Sequence, residues 1–278
     1  MDVLTVGYGD PGAPARLTRS LAETGFAVLT GHPVPQEAMT EAYAEWQRFF
    51  ASPEKDDFRF DPVRQDGYFP FRSENAKDHP QKDLKEFFHV YPGTRLPAWM
   101  SGSTRRLYDA LASLAGELLG WIEDHTEDAV RASFSMPLRR MVEGSPQTLF
   151  RILHYPPLSG GEEAGAVRAA AHEDINLITL LVAATAPGLQ VQDAAGRWLD
   201  VPADPGSIVV NSGDMLAMAS GGHYRSTTHR VVNPAGEDAR RARLSMPLFL
   251  HPWPDVRLSP THTAREYLDE RLREIGLK

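Results

Sequence analysis

The stretch from Ala170 to Gln192, AAHEDINLITLLVAATAPGLQVQ, sets an imidazole and a carboxylate, His172 and Asp174, two residues apart before an apolar run. In an extended chain, side chains at i and i+2 project to the same side. The two can therefore converge on one small object, with Glu173 directed away. A divalent cation is one such object. A histidine satisfied within the core is the other reading, and the pair alone fits both. Further along, GGHYRSTTHRVVNP supplies two more imidazoles, His223 and His229. Two histidines and a carboxylate on one face of an octahedron make a non-haem Fe(II) centre, with three positions left for a co-substrate and O2. His32, His79, His125, His251 and His262 each stand alone and read as core or surface histidines.

The elements that must position these residues fall into two textures. Val3 to Tyr8 reads as a short strand, Ala13 to Thr24 as a helix ending near Gly25, GFAVLTGH as a buried strand, and Pro35 to Phe50 as a helix with Pro near its first turn. Ser52 to Pro97 is irregular and aromatic, its rings packing beneath a long loop. Leu107, Leu111, Leu114, Leu118 and Ile122 follow helical spacing, so Ser103 to Glu123 is a long helix covering a sheet. After Gln147 the chain breaks into short strand-like runs: TLFRILHY, LITLLVA, GLQVQ, RWLDVP, SIVVNSG, YRSTTHRVV and RLSMPLFLH. Gly, Pro, Asp and Asn separate them, which favours a sandwich or jelly roll over βαβ units. The tail TAREYLDERLREIGLK reads as an amphipathic helix with a solvated charged face. Residues 1–97 thus form an α/β region and 98–278 a helix plus jelly roll, together one compact unit.

Bulk properties narrow the function. The chain has 278 residues, 42% of them hydrophobic, and a net charge of −8 with no run of Lys and Arg. A sizeable core is available, and nothing attracts nucleic acid or an anionic membrane. No stretch approaches the roughly 18 uninterrupted apolar residues of a membrane span, and MDVLTVGYGDPGAPAR is not a signal peptide. Cysteine is absent, which excludes disulfides, thiolate metal sites and cysteine nucleophiles. The expected location is the cytoplasm, whose reducing conditions suit Fe(II).

Taken together, HEDINLIT, HYRSTTHRVVNP and RARLSMPLFLHP make the chain resemble the isopenicillin N synthase-like Fe(II)/2-oxoglutarate-dependent dioxygenases. The family pattern is H-x-D, then H-R-V some 55 residues on, then R-x-S; here His229 follows Asp174 by 55 residues. GFAVLTGHPVP resembles the family's amino-terminal strand and turn, and GYFPF and DLKEFFHVYP its linker, so the likeness covers nearly the whole chain. The resemblance implies a mainly β fold with flanking helices, a double-stranded β-helix (jelly roll) core and an α/β amino-terminal region. It implies His172, Asp174 and His229 as Fe(II) ligands, and Arg243 and Ser245 as the anchor for the far carboxylate of 2-oxoglutarate. A planar guanidinium matches a carboxylate with two parallel hydrogen bonds. Tyr155 of ILHYPP matches a tyrosine that contacts 2-oxoglutarate in relatives, although Leu153 stands where many of them carry Asn. His223 stands where relatives vary, and NPAGEDARRA reads as a lengthened hairpin loop.

The reaction so implied oxidises, and above all hydroxylates, an unactivated C–H of a small metabolite, releasing succinate and CO2, with O2 consumed and ascorbate as a stimulant. Asp174 argues against halogenation, where a small residue replaces the carboxylate. Two rival readings remain: an oxidase of the same family that needs no 2-oxoglutarate, whose R-x-S holds a substrate anion, and a non-catalytic small-molecule-binding jelly roll. The expected partner is a small-molecule substrate, with no nucleic acid or membrane, for a monomer or small homo-oligomer. Candidate pocket walls are Tyr68, Phe69, Phe71, Arg72, His154, Asn176 and His223.

Overall fold

The structure, a computed structural model, describes residues 3–75, 80–202 and 204–274; His79 lies outside them. Strand and helix alternate first: β1 (Leu4–Gly7), α1 (Ala13–Thr24), β2 (Phe26–Thr30) and α2 (Gln36–Ala51). Pro in its first turn starts α1, and Gly25 at φ 74° ends it, its N–H capping the Leu21 carbonyl. Glycine is required at that point twice over. The backbone is left-handed, and a Cβ there would meet Thr227 Oγ1 at 2.3 Å. The turn into β2 is thereby pressed against the segment that leads to His229.

A 3-10 helix (Pro53–Phe58), β3 (Gly67–Phe69) and β4 (Glu86–Val90) follow, then α3 (Ser103–Asp124) and two short helices, α4 (Asp128–Arg131) and α5 (Leu138–Val142). The remaining elements are β5 (Leu149–Tyr155), β6 (Ala169–His172), β7 (Ile178–Val182), β8 (Leu189–Gln192), β9 (Trp198–Asp200), β10 (Ile208–Ser212), α6 (Asp214–Ala219), β11 (His229–Val231), β12 (Arg243–Leu250) and α7 (Ala264–Glu274). A 3-10 helix over Gly236–Arg240 occupies the polar segment expected to be a plain hairpin loop.

Eight strands form one sheet in the order β1-β2-β10-β7-β12-β5-β4-β3, and four form a second, β6-β11-β8-β9. All pairings are antiparallel except β1 with β2. Period-two alternation gives the large sheet two faces. One carries Leu244, Leu248, Ile152 and Phe88 into the core that α1, α2 and α3 complete. Trp46 of α2 is fully buried there, its Nε1 donating to Thr104 Oγ1 of α3 at 3.0 Å. The other face carries Tyr155, Val209 and Val28 against Ala169, Val191 and Val231 of the small sheet. The two sheets thus enclose a second, smaller core, the arrangement of a jelly roll.

The stretch from Ser52 to Pro97 is more regular than its texture suggests. Phe87 pairs with Leu153 and His89 with Arg151, so β4 extends the large sheet, and β3 pairs with β4 in turn. EFFHV is buried on both of its faces, with burial running through Glu86, Phe87, Phe88 and Val90. It therefore lacks the alternation that marks a half-buried strand. Among the described residues no helix is long and apolar enough to cross a membrane.

Candidate metal centre

His172 closes β6 and His229 opens β11, and the two are register partners across the antiparallel pair. Directly opposed residues bring their side chains together, and the ring centroids lie 4.4 Å apart. Asp174 reaches them from the loop after β6, which corrects the expected cause of convergence. The strand pleat ends at His172, and Asp174 is placed by the end of β10 instead. The N–H groups of Gly213 and Asp214 donate to the carbonyls of Leu177 and Asp174 at 2.9 and 2.8 Å. A Cβ on Gly213 would meet Asn176 O at 2.2 Å, so only glycine lets the loop lie that close. Glu173 points away, accepting from the exposed Thr228 hydroxyl.

One ligand atom from each of His172, Asp174 and His229 lies within 4.8 Å of the others, and His229 Nε2 is 3.7 Å from Asp174 Oδ1. Neighbouring groups aim these atoms. His172 Nδ1 meets the Ala170 carbonyl at 2.8 Å and His229 Nδ1 meets that of Thr227 at 3.1 Å. A carbonyl only accepts, so each Nδ1 carries a proton and Nε2 is the atom left to meet a metal, with a lone pair in the neutral ring. Asp174 Oδ2 accepts from Thr179 Oγ1 at 2.6 Å and Asn211 Nδ2 at 2.8 Å, which leaves Oδ1 to face the histidines. Burial, then the neighbouring His229, pushes the His172 imidazole down to about 4, so it stays neutral at physiological pH. Burial would raise the Asp174 carboxyl, but His229, His172 and the two side-chain donors outweigh it and hold the pKa below the ordinary carboxylate value. Two imidazole nitrogens and a carboxylate oxygen are the donor set that Fe(II) takes.

The other end of the same interior is cationic. Arg243 and Tyr155 are register partners on β12 and β5, and Ser245 lies two residues further along the same face. All three are buried. Arg243 Nε donates to the Ala186 carbonyl at 2.9 Å and its Cζ lies 5.1 Å from the Tyr155 ring centroid, while the buried Nη1 has no hydrogen-bond partner. A buried guanidinium nitrogen without an acceptor fits a ligand carboxylate.

The expected walls separate by sheet face. Phe69 stacks on Phe87 at 4.4 Å, on the Tyr155 face. Tyr68 and His154 lie on the opposite face, where both hydrogen-bond Glu86. Asn176 is a buried brace of the Asp174 loop. Phe71 is exposed, Arg72 pairs with Glu163, and His223 packs edge-on against Tyr224, apart from the three-residue cluster. Sequence reasoning missed Thr179, Asn211 and Arg151. Arg151 Nε donates to His89 Nε2 at 3.0 Å, with its Cζ 4.7 Å from the Phe87 ring and 5.7 Å from that of Phe249. Nothing in the sequence marks these three, because strand register sets Thr179 beside Asn211 under the Asp174 loop and Arg151 beside His89.

The fold is a jelly roll in which His172, Asp174 and His229 form a cluster that could hold a metal ion, with the buried Arg243 facing the same inter-sheet region further along the strands. Residues 146–252 match the 2OG-Fe(II) oxygenase superfamily, and residues 10–104 match the non-haem dioxygenase in morphine synthesis N-terminal family. A 2-oxoglutarate-Fe(II) type oxidoreductase of Emericella nidulans is 31% identical over 89% of this chain and 78% of its own, and one from Aspergillus fumigatus is 33% identical over 90% and 81%. The crystal structure of a presumed oxygenase from Shewanella oneidensis superposes with a TM-score of 0.91 at 49% identity, covering 100% of both chains. The chain belongs to the 2-oxoglutarate- and Fe(II)-dependent oxygenase family and is an enzyme of that class. The family uses Fe(II), 2-oxoglutarate and O2, and the donor set described above fits them.

The role of Asp174 Oδ2 has a direct test. Thr179→Val keeps the volume and removes one of the two side-chain donors that turn Oδ1 toward the histidines. Iron affinity is expected to fall by about 10-fold, at the lower end of what loss of an outer-shell partner costs. Anaerobic Fe(II) titration checks it, and an unchanged affinity would show that Asn211 alone fixes the carboxylate.

Proposed function

We propose that this enzyme hydroxylates an unactivated C–H of a small metabolite in the cytoplasm, with His172, Asp174 and His229 holding Fe(II) and Arg243, Ser245 and Tyr155 holding the far carboxylate of 2-oxoglutarate. One observation carries the reading. A buried guanidinium with a free donor lies on the face of the large sheet that packs against the small sheet carrying His229, so a diacid that chelates iron by its 2-oxo acid end has a cation waiting for its other end. Bound there, the iron supplies the oxidising power, with O2 and 2-oxoglutarate consumed and succinate and CO2 released.

The chain's own residues supply the rest. The Ala170 and Thr227 carbonyls keep both imidazoles in the tautomer that offers Nε2. Thr179 and Asn211 occupy one carboxylate oxygen, so Asp174 offers a single atom and coordination positions stay open. Val191, Val209, Val231, Leu153 and Leu181 line the space between the sheets and exclude water from it, which strengthens each polar contact within.

Slow uncoupled turnover follows from this arrangement even without the true substrate. Protein incubated with Fe(II), ascorbate, O2 and 2-oxoglutarate is expected to release succinate and CO2, and a library of amino acids and other small metabolites is screened for acceleration. If no succinate formed with any candidate, and the authentic substrate were oxidised without 2-oxoglutarate, the direct-oxidase reading would replace this one.

A further inference from the structure

A second arginine shares the cationic end of the interior. Arg168, just before β6, is 1% exposed. Its backbone N–H donates to Asn233 Oδ1 and its Nη2 donates to the Arg241 carbonyl, both at 2.9 Å. Its Nε, like Arg243 Nη1, is buried without a hydrogen-bond partner. The two guanidinium carbons lie 6.0 and 5.1 Å from the same ring, that of Tyr155. Burial and the neighbouring Arg243 both lower the Arg168 pKa. Among the described residues, no carboxylate pairs with either arginine. Two buried like charges beside one ring, with donors unspent and no acid to balance them, are costly. An anion seated between them removes that cost.

We infer that Arg168 is a second cofactor-binding arginine, which acts with Arg243 across Tyr155 to hold the far carboxylate of 2-oxoglutarate. The inference rests on the proposed function, and it explains a residue that the R-x-S pattern leaves out. Arg168 leads into β6 of the small sheet and Arg243 opens β12 of the large one, so the anion would tie the two sheets together at the end away from His172. The bound diacid then carries one negative charge between two cations, which favours a full carboxylate there over any neutral group.

The test compares two ligands on the anaerobic Fe(II)-loaded protein by calorimetry. One is 2-oxoglutarate. The other is 2-oxopentanoate, a five-carbon 2-oxo acid without the second carboxylate. Arg168→Met is expected to raise the Kd of 2-oxoglutarate by about 10- to 100-fold, the range for a lost hydrogen bond to a charged group, and to change that of 2-oxopentanoate less than about twofold. Arg168→Lys, which keeps the charge, is expected to recover part of the loss. Thermal melting of each variant reports the fold, and Arg168→Lys carries the comparison if Arg168→Met does not fold. Equal weakening of both ligands would overturn the inference and leave Arg168 as a brace for Asn233 and Arg241. Unchanged binding of 2-oxoglutarate in the variants would also overturn it, with the proposed function intact. Failure of the parent protein to bind 2-oxoglutarate would overturn both.

Discussion

His229→Ala is expected to bind Fe(II) more than about 100-fold more weakly than the parent and to show no measurable turnover, with its thermal midpoint close to that of the metal-free parent. Loss of an outer-shell partner alone costs roughly 10- to 100-fold in metal affinity, and this change removes one of three direct donors. His172→Ala and Asp174→Ala are expected to behave alike, since each side chain supplies one atom to the cluster. His223→Ala is the control, because that ring packs on Tyr224 outside the cluster. Iron content by inductively coupled plasma analysis and succinate release read the two effects separately. Near-full iron content and activity in His229→Ala would refute the assignment and turn attention to His223.

The second large effect falls on the arginines of β12 and its approach. Arg243→Leu is expected to weaken 2-oxoglutarate binding by about 2–5 kcal/mol, the cost of truncating one partner of a buried charge pair. Arg240→Leu and Arg241→Leu are expected to change the Kd less than about twofold, because both side chains are exposed and the Arg241–Asp238 pair is a 3.5 Å surface contact of the kind that contributes little. Calorimetry on all three variants decides it. Equal losses at the three positions would sink the claim that, of these three, only Arg243 faces the interior.

These expectations depend on placements that local pattern revealed unevenly. The bounds of α1 and α3 could be read from the chain, because a helix satisfies its own backbone within a few residues, and its apolar spacing, Pro start and Gly stop are local facts. The runs that became β5 and β7 to β12 were legible too, because Gly, Pro, Asp and Asn punctuate them. β4 was not. Its partner Arg151 lies 62 residues beyond His89, and a strand covered on both faces shows no alternation. Short β6, which ends on His172, was equally hidden, since AAAH carries no strand signal of its own and exists through pairing with β11.

The candidate site divides along the same line. Residue type and spacing raised His172, Asp174 and His229 as candidate ligands, and the resemblance of the three motifs to the family singled them out together with Arg243 and Ser245, because a metal and an anion need particular donor atoms whatever surrounds them. What the sequence could not decide is which atom each presents. That is settled by partners far away along the chain: Asn211 and Gly213 behind Asp174, Tyr155 and Ala186 beside Arg243, and Arg241 under Arg168. Donor chemistry is carried by single side chains and is written in the sequence. Aim and charge balance arise only when register brings distant strands together, so they belong to the tertiary structure.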